Sequence, residues 1–252
     1  VVGGDITKNA IKERIYKSFT NKPCDVIVGG PPCVAYSMSG QRNSRDPRGQ
    51  LFKDYIEMVK TLRPKMFVME NVKGILTMKH DKEHLTAEEK VLADSYYSVE
   101  KEKIELAKKT KKFTNEKRNF DKGKENTYVL EDHEQHKKDV GDNKKRLAKL
   151  EKNIKQFRIS VPEKIVACFN DIGYRVEYKL LNAADFGVPQ RRQRVIFIGV
   201  DKNTNHLIKY PVETHNSGGT AGKKKWVSVR EAIDDLKDSE ENVEFSQIYT
   251  SH

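Results

Sequence analysis

No apolar run in this chain approaches the ~20 residues needed to span a bilayer, and no leader with a charged start and an apolar centre is visible. Cysteine is scarce. Cys24, Cys33 and Cys168 are an odd number at no metal-ligand spacing. That argues against a disulfide framework and a zinc site, and for a reducing compartment. Apolar residues make up only 36% of the chain against 34% charged, so part of it cannot be core. Proline is missing altogether from residues 79–158. The chain starts at Val1 rather than Met, so a trimmed or missing true N-terminus is expected.

What is abundant is positive charge: 48 lysines and arginines against 37 acids, a formal net charge of +11 over 252 residues. This favours a polyanionic partner, nucleic acid first, with a solvated lysine-rich surface as the bland alternative. The length suits one large or two small domains.

The chain is organised around Gly29-Gly30-Pro31-Pro32-Cys33. The apolar run before it, residues 25–28, reads as a short buried strand. The glycines let the backbone turn and admit close approach, and the prolines stiffen the backbone leading into Cys33. A thiol is thereby held at a strand's C-terminal end, where open α/β sheets bind ligands. A buried, inert cysteine is the competing reading. The loop after Cys33 is polar, glycine-punctuated and carries Arg42, Arg45 and Arg48. It suits a lid over a phosphate-bearing substrate, or an ordinary surface loop. Residues 51–62 place apolar side chains at helical spacing, and Arg63-Pro64 ends that helix. Residues 66–69 form a second buried strand, parallel to the first if the helix is a crossover. Glu70-Asn71-Val72 is expected just beyond it, on the same edge as Cys33.

Residues 79–158 differ in kind. They are densely charged, with two sparse apolar stripes: Leu92, Tyr96, Val99, Leu106 and Phe113, then Val140, Leu147, Leu150, Ile154 and Phe157. This predicts a protruding helical hairpin inserted into an α/β domain. Its preferred reading is a solvated spacer or partner site; contact between its lysines and DNA backbone is the alternative. Ser160-Val161-Pro162-Glu163 then opens a helix, and strands are expected at 174–181 and 194–200. The loop between them carries Arg191, Arg192 and Arg194, whose guanidinium forks suit phosphate or carbonyl recognition. Residues 202–252 are polar and read as the start of a further region. The expected division is therefore 1–78, 79–158, 159–201 and 202–252.

A thiol on a rigid turn, an acid after the next strand, an arginine cluster and a basic chain together match one chemistry. Carbon 5 of cytosine becomes nucleophilic when a thiolate adds to carbon 6, with an acid meeting the charge at N3. The Gly-Gly-Pro-Pro-Cys stretch, Glu70-Asn71-Val72 and Gln190-Arg191-Arg192-Gln193-Arg194 resemble three motifs of the DNA cytosine-5 methyltransferases of bacterial or phage restriction-modification type. Gly4-Asp5-Ile6, Asp46-Pro47-Arg48-Gly49 and Asn182-Ala183-Ala184-Asp185-Phe186-Gly187 are also similar to that family. The resemblance covers about residues 3–76 and 161–200, with a looser match at 226–236.

It implies a Rossmann-like class I methyltransferase sheet, incomplete at its N-terminal side. It implies S-adenosylmethionine as cofactor, double-stranded DNA as substrate, and a bacterial cytoplasmic or nucleoid location. By the same resemblance Cys33 is the nucleophile and Glu70 engages N3 and the exocyclic amine. Arg192 and Arg194 bind the cytosine carbonyl, Asn71 holds the cysteine loop, and Ser37 and Arg42 lie near DNA. Asp5, Ile6, Pro32 and Leu51 contact the cofactor. Val34 departs from the family's usual Gln. The family's glycine-rich cofactor loop is not found before Asp5, so a fragment or one piece of a divided enzyme is expected. A second polypeptide would supply the rest, and this chain alone would bind the cofactor poorly. A tRNA cytosine-5 methyltransferase and a non-catalytic DNA-binding or assembly fragment are the alternatives.

Overall fold

The structure, a computed structural model, describes residues 2–32, 51–82, 84–122 and 130–237. At its centre is a four-stranded mixed sheet of β1 Val26–Gly29, β2 Met66–Val72, β5 Tyr174–Asn182 and β6 Gln193–Asp201, in the order β1-β2-β6-β5. β1 pairs parallel to β2, from Val26↔Met66 to Gly29↔Met69, across helix α2 Phe52–Leu62. β6 runs antiparallel to both β2 and β5. The architecture is thus the α/β sheet anticipated, and among the described residues β1 and β5 are its two edge strands.

Apolar alternation on β2 and β6 puts Phe67, Met69, Val195 and Phe197 on one face, all fully buried. Helix α2 contributes Phe52, Tyr55 and Val59, and helix α5, Val161–Asp171, contributes Ile165 and Phe169. Phe67 stacks on Phe169 at 4.0 Å and meets Tyr55 and Tyr174 edge-on at 6.0 and 5.5 Å. A side chain at Gly199 would overlap the Phe67 ring, so only glycine fits beneath this aromatic group. The Tyr55 hydroxyl lies 3.0 and 2.9 Å from the carbonyls of Ile27 and Val68, tying helix to both parallel strands. The ends of both helices are set by sequence. Arg63 closes α2 in the left-handed region (φ 48°), and its guanidinium pairs with Asp201 at 2.8 Å. Ser160 and Glu163 close a reciprocal capping box on α5.

The other face is less covered. Val26 and Val28 on β1 are 46% and 74% exposed. The N-terminal helix α1, Asn9–Ser18, packs on α2 instead, where buried Lys12 pairs with Asp54 at 2.8 Å and with Glu57.

The insertion is a helical hairpin, α3 Ala87–Asp121 and α4 Leu130–Ile154. It is closed at its root by an unforeseen antiparallel ribbon of β3 Lys79–Asp81 and β4 Arg158–Ser160. Its apolar stripes meet only near that root, where Ala93, Tyr96, Ile154 and Phe157 are buried. Farther out, polar side chains occupy the seam. Asn143 donates to the Val99 carbonyl at 3.0 Å, and His136 Nε2 lies 2.8 Å from Thr110 Oγ1. Val140, expected in the stripe, is exposed. The hairpin turn expected at 121–126 falls largely outside the described residues.

Beyond residue 202 the chain folds back onto the sheet. The Tyr210 hydroxyl bonds the carbonyls of Glu177 and Ile196, and the short strands β7 His215–Asn216 and β8 Lys224–Lys225 pair. A capped turn of helix, α6 Val229–Ile233, comes next.

Candidate active site

The parallel register fixes the geometry. Gly29 lies opposite Met69, so Gly30 falls beside Glu70 at the C-terminal end of β1. A Cβ at Gly30 would stand 3.1 Å from Glu70 Oε2, and one at Gly29 would stand 2.8 Å from the Tyr55 ring. The close approach these glycines permit is therefore internal: they let the turn pass over a ring and a carboxylate. Neither adopts a positive φ.

Glu70, Asn71 and Val72 are not beyond β2 but within it. Antiparallel pairing with β6 continues the ladder through Glu70↔Ile196, Asn71↔Val195 and Val72↔Arg194. Glu70 and Arg194 thus sit diagonally on one face, and Arg194 Nε lies 2.6 Å from Glu70 Oε1. Both are partly exposed, 40% for Glu70 and 25% for Arg194. Such a pair adds at most about 1 kcal/mol of stability. Its consequence is positional: a carboxyl and a guanidinium held together, each with open valences for a ligand.

Asn71 points the opposite way and is buried. Its side-chain oxygen accepts from the Val72 N–H at 3.0 Å, and its Nδ2 lies 3.4 Å from the Pro31 carbonyl. The strand carrying Glu70 is in this way tied to the proline turn. Pro32, the last described residue of that turn, is exposed. Cys33, Ser37 and Arg42 lie outside the described residues.

The arginine cluster divides. Arg194 pairs with Glu70, Arg192 is exposed on the loop, and Arg191 stacks over the Trp226 ring at 4.9 Å. Asp185 anchors that arrangement, accepting from Trp226 Nε1 at 2.8 Å and, through its carbonyl, from the Thr214 N–H at 2.9 Å. Lys73 Nζ donates to Gln193 Oε1 at 2.9 Å beside it. Sequence reasoning missed this clasp. The one signal was that the only tryptophan, Trp226, opens the looser match at 226–236 directly after Lys223-Lys224-Lys225.

Asp5 and Ile6 precede α1. Asp5 Oδ1 accepts from the Thr7 N–H at 3.0 Å and its hydroxyl at 2.8 Å, which holds the Asp5 pKa below the usual carboxylate range. No hydrogen bond to its second oxygen is made among the described residues. Ile6 and Leu51 are half-buried. Among the described residues no hydrogen bond joins Asp5 to Pro32 or Leu51, and no His/Cys/Asp/Glu group is arranged to hold a metal. No helix among them is long and apolar enough to cross a membrane.

The sequence model of the C-5 cytosine-specific DNA methylases matches residues 1–107 and 142–252, most of the chain. The type II methyltransferase M.DdeI of Desulfomicrobium norvegicum is 31% identical over 214 residues, covering 84% of this chain and 32% of its own length. M.NgoFVII of Neisseria gonorrhoeae is 26% identical over 97% of this chain and 45% of its own. M.AquIA of Picosynechococcus is 27% identical over 94% of this chain and 70% of its own. The chain spans less than half the length of the first two relatives.

Proposed function

Since this chain belongs to the C-5 cytosine-specific DNA methylase family, we propose that it carries the catalytic edge of an enzyme that methylates carbon 5 of cytosine in DNA. The donor in this reading is S-adenosylmethionine and the nucleophile is Cys33. The observation that carries it is the joined pair Glu70 and Arg194, beside the turn that leads to Cys33 and tied to that turn through Asn71.

The base leaves the stack to reach such an edge. The Cys33 thiolate adds to carbon 6, and the ring electrons shift so that carbon 5 becomes nucleophilic. Glu70 gives a proton to N3 and accepts from the exocyclic amine. Arg194, on the neighbouring strand and already ion-paired with Glu70, holds the cytosine carbonyl, with Arg192 as a second cation on the loop. These charges are in place before reaction, so little reorganisation is needed as the pyrimidine becomes electron-rich. The cofactor, when bound, supplies an electrophilic methyl group to carbon 5. Loss of the carbon 5 proton to a base, with return of the N3 proton to Glu70, then expels the Cys33 thiolate and restores the neutral ring.

Asp5, through its second carboxylate oxygen, and the apolar Ile6, Pro32 and Leu51 fit one edge of an adenosine. The remaining wall is supplied, in this reading, at the open β1 edge, where Val26 and Val28 are exposed, by a further polypeptide segment, either of a longer chain or of a second protein. A site with one wall has less preorganisation as well as fewer contacts. Calorimetric titration of residues 1–252 with the cofactor is expected to give weak binding, restored by the complementing polypeptide. Tight binding by this chain alone would contradict the divided site. Labelled-methyl transfer by the intact enzyme to duplex DNA, and not to tRNA, tests the substrate.

A further inference from the structure

We propose that the α3–α4 hairpin is a sequence-independent clamp on the duplex backbone, a second DNA surface beside the catalytic edge. This rests on the DNA reading above. The family match leaves residues 108–141 uncovered, so the outer half of the hairpin is this chain's addition to the shared core.

The hairpin is rooted next to the site. β2 ends at Val72, two residues past Glu70, and a single turn, Lys73–Thr77, separates it from β3 at Lys79. Arg158 locks the root. Its guanidinium donates to the Lys79 carbonyl at 2.8 Å and lies over the Tyr96 ring at 4.9 Å. Tyr97 donates to Asp81 at 2.9 Å, and the Val161 N–H to the Met78 carbonyl at 3.0 Å. An arm fixed this way starts from the end of the strand that carries Glu70.

The charges along the arm do not cancel. Its acids are largely taken up internally. Glu102 pairs with Arg146 at 2.8 Å, Glu105 with Lys108 at 2.8 Å, Glu116 with Lys112 at 3.6 Å and Asp142 with Lys145 at 3.6 Å. Asp139 accepts from the Gln135 amide. Exposed Lys103, Lys109, Lys111, Lys137, Lys138 and Lys144 make no ion pair among the described residues. Of the remaining acids near them, Glu100, beside Lys103 and Arg158, and Glu151 lie toward the root, and Asp132 and Glu134 toward the turn. The Thr110–His136 and Val99–Asn143 contacts fix the helix register. At about 3.6 residues per turn that register sets Lys103, Lys111, Lys137 and Lys144 in one band along a single flank of the seam, Lys103 and Lys144 lining the same groove, while Lys109 lies on the opposite flank and Lys138 on the outer face of α4. At 1.5 Å per residue that band is about 18 Å long. Duplex DNA offers a phosphate on each strand every ~3.4 Å of axis, so the band can face several. Burial and nearby Lys109 depress the His136 pKa, so the charge of the band at neutral pH comes from the lysines.

The test compares two charge-matched variants of residues 1–252. One carries Lys103, Lys111, Lys137 and Lys144→Gln. The other carries Lys8, Lys17, Lys22 and Lys60→Gln outside the hairpin. Binding to a 30-base-pair duplex of arbitrary sequence is followed by fluorescence anisotropy across a salt series, with circular dichroism confirming retained helix. Every phosphate that is no longer neutralised lowers the salt slope by ~0.9, so the hairpin variant should drop by a slope of about 2–3 and roughly tenfold in affinity at low salt. The control should change far less. Equal changes in the two variants, or none in the hairpin variant, would overturn the clamp. Cys33-dependent trapping on fluorinated cytosine, measured separately in the intact enzyme, distinguishes failure of the clamp from failure of the methyltransferase reading.

Discussion

The sheet core and the hairpin seam solve the same problem with different residues. In the sheet, Phe67, Phe169, Tyr55 and Tyr174 form one packed aromatic group, and the polar tip of Tyr174 is satisfied by the Pro64 carbonyl at 2.6 Å. Burial there pushes the Tyr174 pKa up to about 12. In the hairpin, apolar packing stops a few turns from the root and Asn143 and His136 take over, both buried. A seam built this way gains less per residue from burial, because each polar group must also find a partner. The difference teaches where stability is held: in the sheet and at the hairpin root, with the outer arm fixed by hydrogen-bond register more than by packing.

The comparison can be broken most sharply at Phe67. Phe67→Ala removes the ring on which Phe169, Tyr55 and Tyr174 all pack, and is expected to cost about 3–5 kcal/mol. Urea unfolding followed by tyrosine fluorescence measures it. A loss below that of a seam substitution would reverse the ranking.

The root offers a pH test of comparable size. His80 on β3 is buried, and burial together with Lys164 and Arg158 lowers its pKa to about 4, against 6.5 for the free side chain. The unfolded chain therefore binds a proton first as pH falls. Stability is unaffected by His80 above pH 6.5 and declines from there toward pH 4, by about 3 kcal/mol in all. Denaturation midpoints of the parent and His80→Asn across that window should converge as the acid limb flattens in the variant. Parallel acid limbs would show that His80 is not the group responsible.

A smaller effect sharpens the seam side of the comparison. Asn143→Ala leaves the Val99 carbonyl without its donor and should cost about 1–2 kcal/mol. Asn143→Leu, which restores apolar contact with the stripe, should recover part of that loss. Thermal melts of both variants by circular dichroism decide it. If Asn143→Leu is the worse of the two, the amide has a role beyond register.

Much of this was readable from the residues. The apolar run at 66–69, the strands at 174–181 and 194–200, the capping box at Ser160 and the Arg63-Pro64 stop all fell where local chemistry put them. The hairpin was legible from its charge and missing proline. Its seam was not, because a buried Asn or His has no apolar signal in a period count. The extension of β2 through Glu70-Asn71-Val72 was missed for a related reason. Those residues carry no strand pattern of their own and are held in the ladder by β6, more than a hundred residues away. The Glu70–Arg194 pairing is likewise a product of that register, whereas the approach of Glu70 to the glycine turn followed from parallel pairing alone. The Asp185–Trp226 clasp needed the three-dimensional return of the chain to be seen.

The central claim concerns Cys33, and one measurement addresses it directly. The intact enzyme is incubated with cofactor and a duplex carrying 5-fluorocytosine at its target, and the products are resolved under denaturing conditions. Fluorine blocks loss of the carbon 5 proton, so the adduct at carbon 6 cannot eliminate. The account predicts a covalent protein–DNA band in the parent and none in Cys33→Ser, which should still bind the duplex. A covalent band of undiminished intensity in Cys33→Ser, or methyl transfer by that variant at near-normal rate, would contradict it.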